Sequence, residues 1–255
     1  MNPFKKFLFE LQEISYLIFW SFAGLRKSPR YFNEIIRQMD VIGVGSLSIV
    51  ALTGFFTGAA LVLQSFQILA YYGAQAQLGQ MISFSLIREL GPVLSALMVS
   101  GRIGSAISAE LGSMVVSQQI DAMRALGTDP LRKLVAPRII ALILMLPLLT
   151  VVSDVFGIIG GGFVANNLFG LDYNTYLSSV HDGTTIENII SGMTKPFFFG
   201  LIIGSISCYK GLNTSGGTVG VGLATTRAVV LASVVVIVAD FFLTRALQTM
   251  LGIQY

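Results

Sequence analysis

Five ionisable side chains interrupt the apolar sequence where chemistry can be built: the adjacent pair Arg88 and Glu89, Lys195 immediately before Pro196, and the aspartates Asp154 and Asp240. Charges in such stretches are costly unless they are paired or face a wet cavity, so each marks a candidate site. Arg88 and Lys195 are the residue types that attract a phosphate group, with Glu89 orienting one of them or opposing an amine. The plainer alternative is a structural Arg–Glu pair together with a lysine whose head snorkels to the membrane surface. Leu61, Leu69 and Tyr72, late in the preceding apolar run, are candidates for the apolar wall of the same cavity, with ordinary packing as the alternative. Asp240 has Thr244 and Arg245 one turn further along the same helix side, which favours a satisfied structural aspartate over a proton relay. Asp154 has no obvious local partner.

Other chemistries lack their residues. The glycine-rich run from Gly216 to Gly222 has no following Lys-Ser or Lys-Thr, so it reads as a turn rather than a nucleotide loop. His181 beside Asp182, near Ser178 and Ser179, has neither a nucleophile elbow nor metal-ligand spacing. No catalytic residue, metal or cofactor is assigned.

The elements that must position these groups follow from composition. With 255 residues, 54% hydrophobic and only 11% charged, and a mean hydropathy of +0.77, this is an integral membrane protein, since soluble domains carry about 25% charged residues. The one cysteine, Cys208, excludes an internal disulfide. Apolar runs place five spans near residues 41–70, 83–112, 136–165, 186–209 and 223–247; the fourth must include Glu187 and Lys195, because the charge-free run Pro196 to Tyr209 alone is too short to cross. Residues 170–185 read as a polar loop. At the N-terminus, Phe4, Phe7, Leu8, Leu11, Ile18 and Phe22 keep to one helical side, the pattern of an amphipathic helix lying in the membrane interface. The expected fold is all-α, with five transmembrane helices, this interfacial helix and one short cytoplasmic helix. A single domain over 1–255 is expected, with 1–38 as the interfacial region and 39–255 as the transmembrane core. Most lysines and arginines fall on one side if the N-terminus is cytoplasmic, leaving only Arg88, Lys195 and Arg245 on the other; that bias predicts a periplasmic C-terminus.

The stretch Glu89 to Ala141, ELGPVLSALMVSGRIGSAISAELGSMVVSQQIDAMRALGTDPLRKLVAPRIIA, joins two spans through a polar segment. Gly101, Ser105 and Ala109, and likewise Gly104, Ser108 and Gly112, recur every four residues and predict close helix packing. Arg102 and Glu110 lie two turns apart on one side of the same helix. The short helix Gln118 to Leu126 is predicted to start on a Ser117 cap and to stop at Gly127 and Pro130. Its Ile120, Met123 and Leu126 share one side, with Gln119, Asp121 and Arg124 elsewhere. It is too short to cross a bilayer, which leaves an interfacial helix or a docking element for a soluble partner.

The elements ELGPVL, GR-GSA-AELG-M, QIDA and DPLR-LV-PR in this stretch, and GLATTRAVVLASVVVIVADFFLTRAL at 222–247, closely resemble the MlaE (YrbE) permease family over most of residues 40 to 250. That resemblance implies the permease subunit of an ABC transporter working with MCE proteins to move phospholipid in maintenance of outer-membrane asymmetry. It implies a homodimer in the bacterial inner membrane that is not itself an enzyme. Each copy would dock a cytoplasmic ABC ATPase through Gln118, Gln119, Ile120, Asp121, Met123, Arg124 and Leu126. A hexameric periplasmic MCE-domain protein and a STAS-domain protein would complete the assembly. Lipid would be held by Arg88, Glu89, Lys195, Tyr72, Leu61 and Leu69. Three rivals remain open: a related MCE permease for another hydrophobic lipid, a secondary transporter using Asp154 or Asp240 as ion sites, and an intramembrane enzyme acting on lipid headgroups.

Overall fold

The computed structural model describes residue 10, residues 12–20 and residues 32–251, and among these every regular element is helical. Residues 12–20 form a helical segment in which Leu17 is buried, while Tyr16, Phe19 and Trp20 are exposed. Of the apolar side proposed for the N-terminal helix, only Ile18 falls among the described residues; Phe4, Phe7, Leu8, Leu11 and Phe22 lie outside them.

Seven further helices follow: α1 Phe32–Tyr71, α2 Gln75–Val116, α3 Gln119–Ala125, α4 Leu131–Phe169, α5 Tyr173–Gly183, α6 Ile186–Leu212 and α7 Gly217–Leu251. Five of them, α1, α2, α4, α6 and α7, are long and apolar enough to cross a membrane. Even the shortest, the 27-residue α6, reaches about 40 Å at 1.5 Å per residue, more than the roughly 30 Å hydrocarbon core. The chain is therefore an all-α multi-pass membrane protein.

Each spanning helix runs past its expected limits at one end or both, α6 only at its C-terminal end. Polar residues such as Asn33, Glu34 and Arg37 in α1 are helical too, because polar side chains do not break a helix once its apolar part has formed. The expected polar loop at 170–185 instead carries α5. Asp172 caps it by accepting from the backbone N–H groups of Asn174 and Thr175, both at 3.2 Å. The short helix α3 is also corrected at its start. Ser117 does not cap it but donates to the Ser113 carbonyl at 2.8 Å, and Gln118 turns the chain in the left-handed region at φ 58°. Gly127, at φ 73°, ends α3: its N–H reaches the Arg124 carbonyl and that of Thr128 reaches Met123.

The described chain divides into two compact units. One holds the described residues up to Ile42 with Val99–Met145 and Phe199–Val236; the other holds Gly43–Met98, Leu146–Phe198 and the described residues from Ile237. In the first, Ile107, Leu111, Ile120, Val135, Ile139, Leu142 and Ile203 form a dry core. Of the two small-residue stripes on α2, Gly104, Ser108 and Gly112 are buried, with Gly104 against Ser207 and Gly112 against Thr214. Gly101, Ser105 and Ala109 are exposed or half-buried and pack less closely.

In the second unit Val62, Leu78, Ile82, Leu86, Ala165, Tyr176 and Val180 form the core, and Phe66 stacks on Phe169 at 3.9 Å. α5 is stitched to the start of α2 by hydrogen bonds from Gln80 N–H to Ser179 Oγ at 2.9 Å and from Ser83 Oγ to the Val180 carbonyl at 3.2 Å. The Tyr176 hydroxyl donates to the Ile158 carbonyl at 3.1 Å. Burial pushes its phenol above the ordinary value, which keeps that donor protonated.

Candidate functional site

All five interrupting charges belong to the second unit, and four of them, Arg88, Glu89, Lys195 and Asp240, meet. α2 is not a regular helix here: residues Leu86–Leu90 make a π turn, the local widening that so often accompanies function. That turn carries Arg88 and Glu89. Gly192 of α6 lies against the Ile87 carbonyl with no room for a Cβ, so α6 approaches the π turn at backbone distance. Lys195, one turn further along α6 on the same side, is thereby delivered to the π turn.

Lys195 is fully buried, and its ammonium meets three acceptors: the Arg88 carbonyl at 2.9 Å, Glu89 Oε2 in a short contact, and Asp240 Oδ1 at 3.2 Å. The first two contacts are hydrogen bonds and the third is an ion pair. Glu89 is held further by the Thr244 hydroxyl, which donates to Oε2 at 3.1 Å. Lys195 is therefore a knot tying α2, α6 and α7 within this unit rather than a snorkelling side chain. Asp240 likewise finds its partner across helices, in Lys195, rather than in Thr244 or Arg245 on its own helix.

Arg88 is different. It is 2% exposed, its Nε lies 3.8 Å from Glu89 Oε1, and its guanidinium stands 5.1 Å from the centre of the Phe84 ring. Its Nη2 is buried with no hydrogen-bond partner among the described residues. One buried cationic donor is thus left open beside a cavity of about 560 Å³, which Arg88 lines together with Leu69, Phe84, Asp182 and Glu187. A guanidinium with a free edge in such a place can take a phosphate or carboxylate oxygen.

The other expected wall residues divide. Leu69 lines the Arg88 cavity, whereas Leu61 lines a separate, mostly apolar groove of about 450 Å³ with Phe56, Gln64 and Leu94. Tyr72 lies just past α1, 75% exposed, with its ring edge-on to Tyr71. Asp154, 8% exposed, lies against Gly91, whose missing side chain makes room for it. Residue types alone single out neither Thr244 nor the carboxylates Asp182 and Glu187 that line the cavity; the signal for Thr244 is its helical spacing from Asp240.

In the first unit the expected docking residues lie on α3 or, for Gln118 and Leu126, immediately beside it, and they do not share one surface. Ile120 is buried against its own chain, Met123 is half-buried, and Leu126 is 83% exposed. Gln118, Gln119, Asp121 and Arg124 are exposed, the last two joined at 3.2 Å. Nearby in sequence, Glu110 of α2 holds the buried Arg138 of α4 at 2.8 Å, and Arg138 also donates to the Leu134 carbonyl at 2.8 Å. Glu10 accepts from Lys210 at 2.9 Å, which ties the N-terminal segment to α6.

Five membrane-crossing helices with a compensated charge knot and one open guanidinium define a multi-pass membrane protein with a polar site among its spans. The family profile for Permease MlaE matches residues 35–246, and the chain belongs to the MlaE permease family. A probable ABC transporter permease protein of Rickettsia felis is 41% identical over 241 residues, covering 94% of this chain and 92% of that protein. The intermembrane phospholipid transport system permease protein MlaE of Haemophilus influenzae is 36% identical over 235 residues, covering 92% and 90%. The chloroplastic protein TRIGALACTOSYLDIACYLGLYCEROL 1 of Arabidopsis thaliana is 37% identical over 218 residues, covering 86% of this chain and 62% of that one. The chain is thus an ABC transporter permease by family.

Proposed function

We propose that this chain is the membrane subunit of a transporter that moves glycerophospholipid between the inner and outer membranes and so maintains outer-membrane lipid asymmetry. The observation that carries the reading is Arg88, a buried guanidinium with an unpartnered Nη2 at the edge of a cavity, suited to a lipid phosphate. The naming of the Haemophilus influenzae relative as a phospholipid transport permease supports it. Leu69 and the groove at Leu61 supply apolar surface for acyl chains, with the exposed Tyr72 as a further candidate contact, while Lys195 and Glu89 hold Arg88 through its carbonyl and its guanidinium.

The permease works as a homodimer in the bacterial inner membrane, N-terminus cytoplasmic and C-terminus periplasmic, as its lysine and arginine distribution favours. The helix at residues 12–20, with Tyr16, Phe19 and Trp20 exposed, suits the cytoplasmic membrane interface. Energy comes from a cytoplasmic ABC ATPase that docks on α3, where the exposed Asp121 and Arg124, with Leu126 just past its end, offer charge and one apolar side chain. ATP-driven closure biases the permease between states that hold and release lipid. A hexameric MCE-domain protein on the periplasmic side and a STAS-domain protein on the ATPase complete the assembly.

The test is purification of the chain from its native membrane without crosslinker, with mass spectrometry of protein and lipid. A stoichiometric ATPase, an MCE protein and bound phospholipid are the expected result. A lone chain that carries no phospholipid, and whose stability depends on an inorganic ion, would overturn the reading.

A further inference from the structure

We propose that the cavity beside Arg88 is a subsite for a zwitterionic headgroup bearing a primary ammonium, as in a phosphoethanolamine. Arg88 takes the phosphate, and Asp182 and Glu187 take the ammonium. The proposal rests on the phospholipid reading above and narrows it to one headgroup chemistry.

The cavity is polarised. At one wall the Arg88 guanidinium is buried, held only loosely by Glu89 at 3.8 Å, and leaves Nη2 without a partner among the described residues. Two carboxylates line the same cavity, Asp182 near the end of α5 and Glu187 in the first turn of α6. Both are exposed, and neither makes an ion pair among the described residues. Asn188 fixes the junction that carries them, its side-chain amide donating to the Gly183 carbonyl at 3.0 Å. A site with one unsatisfied cation and two unpaired anions around a single cavity of about 560 Å³ matches a ligand that carries both signs.

Two other headgroup types fit less well. A purely anionic headgroup such as phosphoglycerol offers Asp182 and Glu187 no cation and brings its own charge towards theirs. A quaternary ammonium cannot donate hydrogen bonds and is recognised on aromatic faces, but Phe84, the aromatic ring of this cavity, already has the Arg88 guanidinium over its face. A primary ammonium has three N–H donors for the two carboxylates and the neighbouring amide oxygens of Gln77 and Gln80.

The test is native mass spectrometry of the purified chain, with whatever partners co-purify. It is offered equimolar phosphatidylethanolamine, phosphatidylglycerol and phosphatidylcholine of identical acyl chains. The parent is expected to retain phosphatidylethanolamine about tenfold over each of the others, the scale of one charge-assisted hydrogen bond. The double variant Asp182→Asn, Glu187→Gln is expected to bring the three lipids to near-equal retention, with phosphatidylethanolamine falling to the level of the other two. Both side chains are exposed, so the variant keeps its fold, and an unchanged thermal unfolding midpoint checks this. Equal retention by the parent, or a preference that survives in the double variant, overturns the headgroup assignment and leaves the phospholipid reading standing. Absence of bound phospholipid from both parent and variant overturns the two together.

Discussion

Charge is used in opposite ways at the π turn of α2 and on the short helix α3. At the π turn, Lys195 and Arg88 are buried and the ion pairs link separate helices: α6 through Lys195, α2 through Glu89, and α7 through Asp240 and Thr244. On α3, Asp121 and Arg124 are 72% and 65% exposed and pair only with each other, one turn apart. A buried charge cannot lose its partner cheaply, whereas an exposed pair contributes little and stays free for another protein. The same residue types therefore fix structure in one region and present a surface in the other.

The sharpest way to break this contrast is Lys195→Met, which keeps the volume and removes the charge. It leaves Asp240 without its cation and Glu89 with only the looser Arg88 contact at 3.8 Å, and a loss of about 3–5 kcal/mol is expected, seen as a lowered thermal midpoint in detergent. Adding Asp240→Asn to that variant should recover part of the loss; a parent-like midpoint in the single variant would mean the knot is solvated and dispensable.

Glu110→Ala tests an intermediate case, because the glutamate is 60% exposed while its partner Arg138 is 4% exposed. Arg138 keeps the Leu134 carbonyl, so a loss of about 2 kcal/mol is expected in the same assay, the scale of a hydrogen bond to a charged group. Thr244→Val removes one interhelical hydrogen bond to Glu89 and should cost about 0.6 kcal/mol, with the bound-lipid content retained.

The smallest effect on stability is expected for Asp121→Ala with Arg124→Ala, below about 0.5 kcal/mol. That double variant should nonetheless lose the ATPase in a pull-down from native membranes. If association survives while stability falls, α3 is a structural element and the contrast with the π turn disappears.

Much of this was legible in the sequence. The five apolar runs, the stop at Gly127 and the cost of charges in apolar surroundings follow from local composition, because a helix in lipid must satisfy its own backbone and leaves few alternatives. Arg88, Glu89 and Lys195 stand out for the same reason. The polar composition of this segment reads as a loop although Tyr173, Tyr176, Leu177 and Val180 recur at helical spacing; its helicity rests on that spacing, on the Asp172 cap and on packing of Tyr176 and Val180 against α2. The Ser117 cap was expected from residue type, but a serine in a helix can equally bond back four residues, and that geometry prevails.

Sequence by itself determined that the chain is a helical membrane protein, which residues interrupt its apolar runs, and that its family is that of MlaE permeases. Those properties are set by side-chain chemistry read locally and by the run of residues along the chain. Only the tertiary structure decided which charges meet. Lys195 and Asp240 are 45 residues apart in the chain, and Lys195 is separated from Glu89 by 106. Their pairing depends on how closely Gly192 lets α6 approach a π turn that no residue type announces. That approach gives Lys195 two hydrogen bonds and an ion pair and leaves Arg88 with its open nitrogen, a distinction between two cations that identical charge cannot express and that packing alone creates.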